Sequence, residues 1–238
     1  EPVEHSHAAA ARSVELAVTG KVAILVKGSL HTDELLGSVV GPDSGLRTER
    51  RISHVYVMDI PAYDKPLIVT DAAINIQPTL EHKRDICQNA VDLLHILGME
   101  EPRVAVLAAV ETVNPKMPAT LDAAALTVMA ARGQITGAKV DGPLAFDNAI
   151  NIDAARTKGI ASAVAGQADI LLVPDLEAGN MLAKQLIYFA GATAAGLVLG
   201  ARVPIVLTSR SDPLSARIAS AALAKMVSLL RTPKVPSV

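Results

Sequence analysis

Residues 203–212 read VPIVLTSRSD. Val203 to Leu207 form an apolar run of strand length, after which the chain switches at once to threonine, serine, arginine, serine and aspartate. An apolar strand that ends in hydroxyls and a guanidinium has the form of a parallel α/β sheet, whose ligands are held at the carboxyl ends of strands. The rest of the chain repeats this rhythm of strand, polar mouth and helical segment.

Upstream, VAILVKG reads as a strand and HTDELLGSVV as a helix, with Thr32 as N-cap and acids in the first turn. RISHVYVMDIP and KPLIVTDAA are two strands separated by AYD, the pattern of a hairpin. TLEHKRDICQNAVDLLHILGM carries Leu80, Ile86, Ala90, Leu93, Leu94 and Leu97 on one helical stripe. RVAVLAAV is a strand followed by a polar loop and a helix; AKVDGPLAFDNAI is strand then loop; ADILLVPDLEAGNMLAKQLIYFAG is strand, polar loop and helix. AAGLVLGARVPIVL supplies two more strands, and a last helix spans about Leu214 to Leu230. Such alternation predicts a mainly parallel α/β architecture with one antiparallel insertion.

Composition agrees with that class. Of 238 residues half are apolar, yet there are only two Phe, three Tyr and no Trp, which suits close helix-on-sheet packing and disfavours base-stacking platforms. With 22 basic and 24 acidic residues the net charge is -2, so any anion site must be local and no nucleic-acid partner is expected. Cys87 is the only cysteine and lies in a helical pattern with no flanking base, so it reads as a core filler in a reducing, cytoplasmic setting. EPVEHSHAAAARSVELAV has acids where a signal peptide needs a basic start. Leu186 to Leu207 is broken by Gly191, Gly196, Gly200, Arg202 and Pro204, whereas a membrane span wants ~20 uninterrupted apolar residues. No membrane association is expected.

The polar clusters after the strands carry the candidate site. KGSLHT offers Lys27, Gly28, Ser29, His31 and Thr32 as an anion site at a helix N-terminus, although Gly28 could only turn the chain and Thr32 only cap. ETVNPKMPAT contributes Asn114. Asp141 and Pro143 sit in DGPLAFD, where an Asp before Gly-Pro is either a base or a turn former. Asp175, Glu177 and Asn180 crowd PDLEAGN, Asn180 being a ligand contact or a cap. In the opening stretch Ser209 and Arg210 are unsuited to a serine–base pair, but a guanidinium beside a hydroxyl suits an anion or a developing oxyanion. His5 and His7 have no third ligand nearby, so no metal is expected. GxGxxG, Walker, GxSxG, HExxH and CxxC patterns are all absent.

VKGSLHTDELLG, GLRTERRISHVYVMDIP, TDAAINIQP, EPRVAVLAAVETVNPKMPATLDAAAL, RGQITGAKVDGPLAFDNAI, GQADILLVPDLEAGNMLAKQL and PIVLTSRSD together resemble the phosphate acetyltransferase and phosphate butyryltransferase family, nearly end to end. The details are closest to its butyryltransferase-like branch, including the transferase part of bifunctional enoyl-CoA hydratase/phosphate acetyltransferases. The resemblance implies a two-lobed α/β fold similar to the isocitrate and isopropylmalate dehydrogenases. Residues 1–100 and 200–238 would form the first domain and 101–199 the second, with the active site in the cleft between them. It implies exchange of acyl-CoA and phosphate with acyl phosphate and CoA by direct ternary-complex transfer, with no tightly bound cofactor and a homodimer or higher homo-oligomer.

The family's catalytic Ser-Arg pair matches Ser209 and Arg210. Its proposed basic aspartate falls at Ala216 here, leaving Asp212 as the nearest substitute. For the family's further active-site arginines GLRTERR offers Arg47, Arg50 and Arg51, among which spacing does not choose; Arg50 is carried as a CoA/phosphate-binding candidate. Family members usually carry a further βα segment before HSHAAAA, so a first-domain strand is expected to be absent, supplied by a neighbouring part, or lost. A catalytically silent CoA-binding scaffold and a decarboxylating dehydrogenase of the same fold are the alternative readings.

Overall fold

The computed structural model describes residues 2–209 and 212–230. In chain order the elements are α1 (Ser6–Val18), β1 (Leu25–Val26), α2 (Thr32–Val40), β2 (Ser53–Asp59), β3 (Leu67–Thr70) and α3 (Leu80–Ile96). There follow β4 (Arg103–Leu107), α4 (Pro118–Ala131), β5 (Lys139–Leu144), α5 (Phe146–Ile150) and α6 (Ile152–Thr157). The chain continues with β6 (Ile170–Leu172), α7 (Leu176–Tyr188), β7 (Thr193–Leu199), β8 (Ile205–Val206) and α8 (Leu214–Leu230). The βα alternation expected from the sequence is present. Helix α1 is an addition: His5 stands at its N-cap, where its Nδ1 accepts the Ala8 amide at 3.2 Å.

Two compact units result, Glu1–Arg50 with Ala195–Val238, and Arg51–Ala194. The first boundary falls about fifty residues earlier than the expected Glu101, and the second at Ala195 instead of residue 200. The reason lies in strand pairing. β3 pairs parallel with β6, which also pairs with β4, so the hairpin β2–β3 and helix α3 belong with the strands that follow them.

In the larger unit the order is β2-β3-β6-β4-β5, with only the β2–β3 pair antiparallel. Every residue of β3 and β6 is buried, as expected of central strands covered on both faces. Leu67, Val69, Ala105, Leu107 and Leu171 pack with Ala149, Ala155, Ala183 and Leu186 from the α5, α6 and α7 side. Strand alternation turns Ile68, Val104 and Ile170 to the opposite face, where α3 contributes the buried Ile86, Ala90 and Leu93. Lys83 of α3, 5% exposed, is paired with Asp122 of α4 at 2.7 Å.

In the smaller unit β8 pairs parallel with β1 and antiparallel with β7. The Arg47–Ala201 bridge and the bond from Thr48 Oγ1 to the Gly200 carbonyl (2.5 Å) join its two chain segments. Ser220 of α8, fully buried, accepts the Gly196 amide at 2.9 Å and thereby ties that helix to β7.

Cys87 is fully buried on α3, and burial pushes its thiol from the ordinary 9.0 up to about 12. Tyr63 donates to the Ala168 carbonyl at 2.8 Å and is raised from 10.0 to about 12, by burial first and then by Asp169. Both groups stay protonated in the fold while the unfolded chain loses its protons at lower pH. Their contribution to stability is therefore complete below about pH 9 and is lost as pH rises from about 9 to about 12. The melting temperature should fall across that alkaline range, and the fall should be shallower in Cys87→Ala and in Tyr63→Phe. A thiol reagent at neutral pH should find no reactive cysteine in the folded chain and one equivalent after unfolding.

Candidate active site

In the smaller unit the parallel register Val26↔Val206 sends the chain off the ends of β1 and β8 side by side. Lys27 is the first residue beyond β1; its amide still donates to the Val206 carbonyl at 3.0 Å. Its side chain is only 8% exposed, and Nζ donates to the carbonyls of Gly28 (3.2 Å) and Leu30 (3.1 Å), curling the KGSLH loop around the ammonium. No carboxylate pairs with it among the described residues, so a buried positive charge stands beside the end of β8. Burying an uncompensated ion is costly unless something of opposite sign shares the site.

Beyond β8, the Ser209 amide donates to Asp212 Oδ2 at 2.7 Å and the Asp212 amide returns a bond to the Ser209 carbonyl at 3.2 Å. These two bonds join Ser209 and Asp212 to each other. Arg210, the other half of the expected pair, lies outside the described residues, as does Ser211. Thr32, expected as the N-cap of α2, is its first helical residue; His31 holds the cap position and donates its amide to Glu34 Oε2 at 3.2 Å. Glu34 also accepts from Ser6 at 2.8 Å, and these two bonds, Ser6 first, hold its carboxyl below the usual range. Ser29 and His31 are exposed on this loop, as is Gly28. Arg50 ends the same unit, exposed, its amide bonded to Thr48 Oγ1 at 3.1 Å.

In the larger unit the registers Thr70↔Leu172 and Val106↔Leu172 align the carboxyl ends of β3, β6 and β4. Asp71, immediately after β3 and 3% exposed, organises that edge. Its Oδ1 accepts the amides of Ala73 (2.9 Å) and Ile74 (3.0 Å), and its Oδ2 accepts the Asn75 amide (3.3 Å) and Asn75 Nδ2 (2.5 Å). Helix α7 packs closely on the same turn: a Cβ on Gly179 would lie 2.7 Å from Val173 Cγ2 and 2.9 Å from the Asp71 carbonyl, so only glycine fits there. Asn180 Nδ2 donates to the Ala72 carbonyl at 3.2 Å, which makes it a brace and not a helix cap. The cap is Asp175, which accepts the Ala178 amide at 2.8 Å, and Glu177 lies in the first turn of α7.

Asp141 and Pro143, expected in a loop after the strand, lie within β5, because that strand continues through Gly142-Pro143 to Leu144. Asp141 accepts the Gly142 amide at 2.9 Å. Asn114 shapes the turn before α4: its Oδ1 takes the Lys116 amide at 2.9 Å, and its own amide donates to the buried Thr120 at 2.9 Å. The structure therefore gathers Lys27, Gly28 and Ser209 at one strand-end pair, and Asp175 and Asn180 around the Asp71 turn.

Asp71 and Asn75 of TDAAINIQP are not among the candidates read from the sequence, and Arg51 is named there only as one of three arginines of GLRTERR. Glu111 was also missed; it accepts from Lys158 at 3.2 Å and from the buried Asn148 at 3.2 Å. The Lys158 bond is the main reason its carboxyl lies below the ordinary range. Among the described residues no group of His, Cys, Asp or Glu could hold a metal ion, and no helix is long and apolar enough to cross a membrane.

The chain is 63% identical over 226 residues to the phosphate acetyltransferase of Rickettsia felis, covering 94% of this chain and 65% of that protein's length. The crystal structure of a branched-chain phosphotransacylase from Enterococcus faecalis V583 is similar, with a TM-score of 0.87 and 36% identity over 95% of this chain and 81% of that one. A 4-hydroxythreonine-4-phosphate dehydrogenase from Klebsiella pneumoniae matches at a TM-score of 0.53 and 17% identity, covering 93% of this chain and 70% of that one; this likeness concerns the dehydrogenase-like fold alone. The family model described as phosphate acetyl/butaryl transferase matches residues 3–225. With nearly its whole length matched, the chain belongs to the phosphate acetyl/butaryl transferase family.

Proposed function

We propose that the protein interconverts acyl-CoA plus phosphate with acyl phosphate plus CoA, for acetyl or short-chain acyl groups. The observation that carries this reading is the 63% identity with a phosphate acetyltransferase over 94% of the chain. In the direction of thioester formation, the CoA sulfur attacks the acyl carbon, the carbon–oxygen bond to phosphate breaks, and phosphate leaves. The proton lost by the thiol ends on the released phosphate at neutral pH. A thiol with an ordinary pKa of ~8.5 needs a hydrogen-bond acceptor to react there.

On this reading Ser209 bonds the reacting carbonyl or the sulfur, and Arg210 neutralises the charge that develops on phosphate or oxyanion. Asp212 holds Ser209 in place through the 2.7 Å bond to its amide and is the nearest carboxylate acceptor for the thiol proton. Lys27, buried beside the same strand end with no carboxylate partner among the described residues, supplies a fixed positive charge for the phosphate. Gly28, Ser29, His31 and Thr32 complete that loop, and Arg50 is a further cation of the same unit. Asn114, Asp141, Pro143, Asp175, Glu177 and Asn180 shape the strand-end loops of the larger unit for CoA. Direct transfer needs no resident cofactor. The same reading takes the protein as a cytoplasmic homo-oligomer, supported by Tyr188 and Phe189, which stand 70% and 90% exposed at the end of α7.

Free thiol released from acetyl-CoA or butyryl-CoA should require phosphate, and arsenate should substitute for it, because acyl arsenates hydrolyse and drive the release. Thiol release without either anion would refute the transferase reading, and a silent scaffold would release none.

Arg210→Lys keeps the charge but loses the planar fork, and Ser209→Ala loses the hydroxyl; both should lower turnover by about 10²-fold or more with little change in melting temperature. The buried Leu207→Ala should instead cost ~2–5 kcal/mol of stability. Lys27→Met removes a buried, uncompensated charge, so it should hold or raise the melting temperature while the KM for phosphate increases. A lower melting temperature with unchanged KM would make Lys27 structural.

A further inference from the structure

We propose that Arg51 is a fixed guanidinium fork that binds a phosphate group at the carboxyl edge of the larger unit. Arg51 immediately precedes the hairpin strand β2, which runs antiparallel to β3 with Val55 opposite Thr70. That reversal carries the start of β2 to the sheet edge where β3, β6 and β4 end. Continued along the same register, Arg51 falls opposite residue 74, inside the turn organised by Asp71. An arginine that the sequence places twenty residues before that turn is thus delivered into it.

An exposed arginine ordinarily samples many rotamers, whereas this one is held at its Nε. Asn75 Nδ2 spends its two hydrogens on Asp71 Oδ2 (2.5 Å) and the Ile52 carbonyl (2.9 Å), both buried bonds. The amide can therefore face only one way, with Oδ1 towards Arg51, and it accepts Nε–H at 2.7 Å. The Arg51 amide is bonded to Asp85 Oδ2 at 3.0 Å and its carbonyl accepts from Asn89 at 2.8 Å, so the backbone is anchored as well.

The anchor is a neutral amide, which leaves the full charge of the guanidinium in place. Neither neighbouring carboxylate bonds the guanidinium itself. Asp71 is saturated by its N–H donors, and the other oxygen of Asp85 is engaged by Arg84 Nη2 at 2.9 Å. The end-on pair Nη1 and Nη2 meets no acceptor among the described residues. Two parallel N–H donors at fixed spacing match two oxygens of one phosphate. Within GLRTERR it is Arg51 whose Nε is fixed by the Asn75 amide.

The choice of phosphate rests on the acyltransferase reading, in which inorganic phosphate and CoA both carry that group; two arms separate them. If Arg51 holds inorganic phosphate, Arg51→Gln should raise the KM for phosphate about tenfold, more than it lowers kcat. If it holds the 3′-phosphate of CoA, the rise should fall on acyl-CoA and vanish with acyl-dephospho-CoA. Arg51→Lys should recover only part of the loss, and Asn75→Ala, with Arg51 present but released, should reproduce much of it. Arg156→Gln, the same charge change at an exposed ion pair of the same unit, should leave both KM values in place.

Calorimetric titration of the parent and Arg51→Gln with inorganic phosphate and with CoA tests the site without turnover. An inactive parent that still binds either probe more weakly after Arg51→Gln would remove the acyltransferase reading and keep the site. KM values and affinities within about threefold of the parent, in a folded Arg51→Gln chain, overturn the proposal.

Discussion

The larger unit turns on one buried carboxylate. Asp71 leaves the end of a fully buried strand, where the backbone must reverse without a ladder to satisfy its amides, and it takes three of those amides and the Asn75 side chain onto its two oxygens. Charge-assisted bonds of this kind are stronger than neutral ones and lose most when one partner is removed. Once the turn is set, α7 can dock on it through Gly179 and Asn180, and Arg51 can be held through Asn75. The precision of the edge therefore comes from a side chain that is itself inaccessible to a ligand.

The smaller unit uses a different constraint. Two short parallel strands, β1 and β8, bring residues 27 and 207 into register although they lie far apart in the chain. Lys27 then meets loop carbonyls and, among the described residues, no carboxylate, and Asp212 closes onto Ser209. A buried ammonium satisfied by neutral carbonyls is costly to the fold, since no carboxylate among the described residues offsets its desolvation.

Much of this was legible in the sequence. Alternation of apolar strand-length runs with helical periods identified the α/β class, the hairpin and all the longer helices except α1. The placement of KGSLHT and TSRSD after strands was legible for the same reason, since both signals are local. The extent of β5 was not: Gly142-Pro143 reads as a turn, and the strand continues through it by pairing with β4. Asp175 and Asn180 were recognisable as polar residues at a strand end, but their division into cap and brace depends on what α7 packs against.

By itself the sequence determined the order and period of the elements, the apolar balance and the family resemblance, because these are properties of neighbours along the chain and of composition. Tertiary structure alone decided that the hairpin and α3 join the later strands, that Asp71 is a hub, and that Asn75 holds the Nε of Arg51. Each of these depends on strand direction and register between distant segments. Reversing β2 against β3 carries Arg51 to the edge where the parallel strands end, and no reading of adjacent residues contains that reversal.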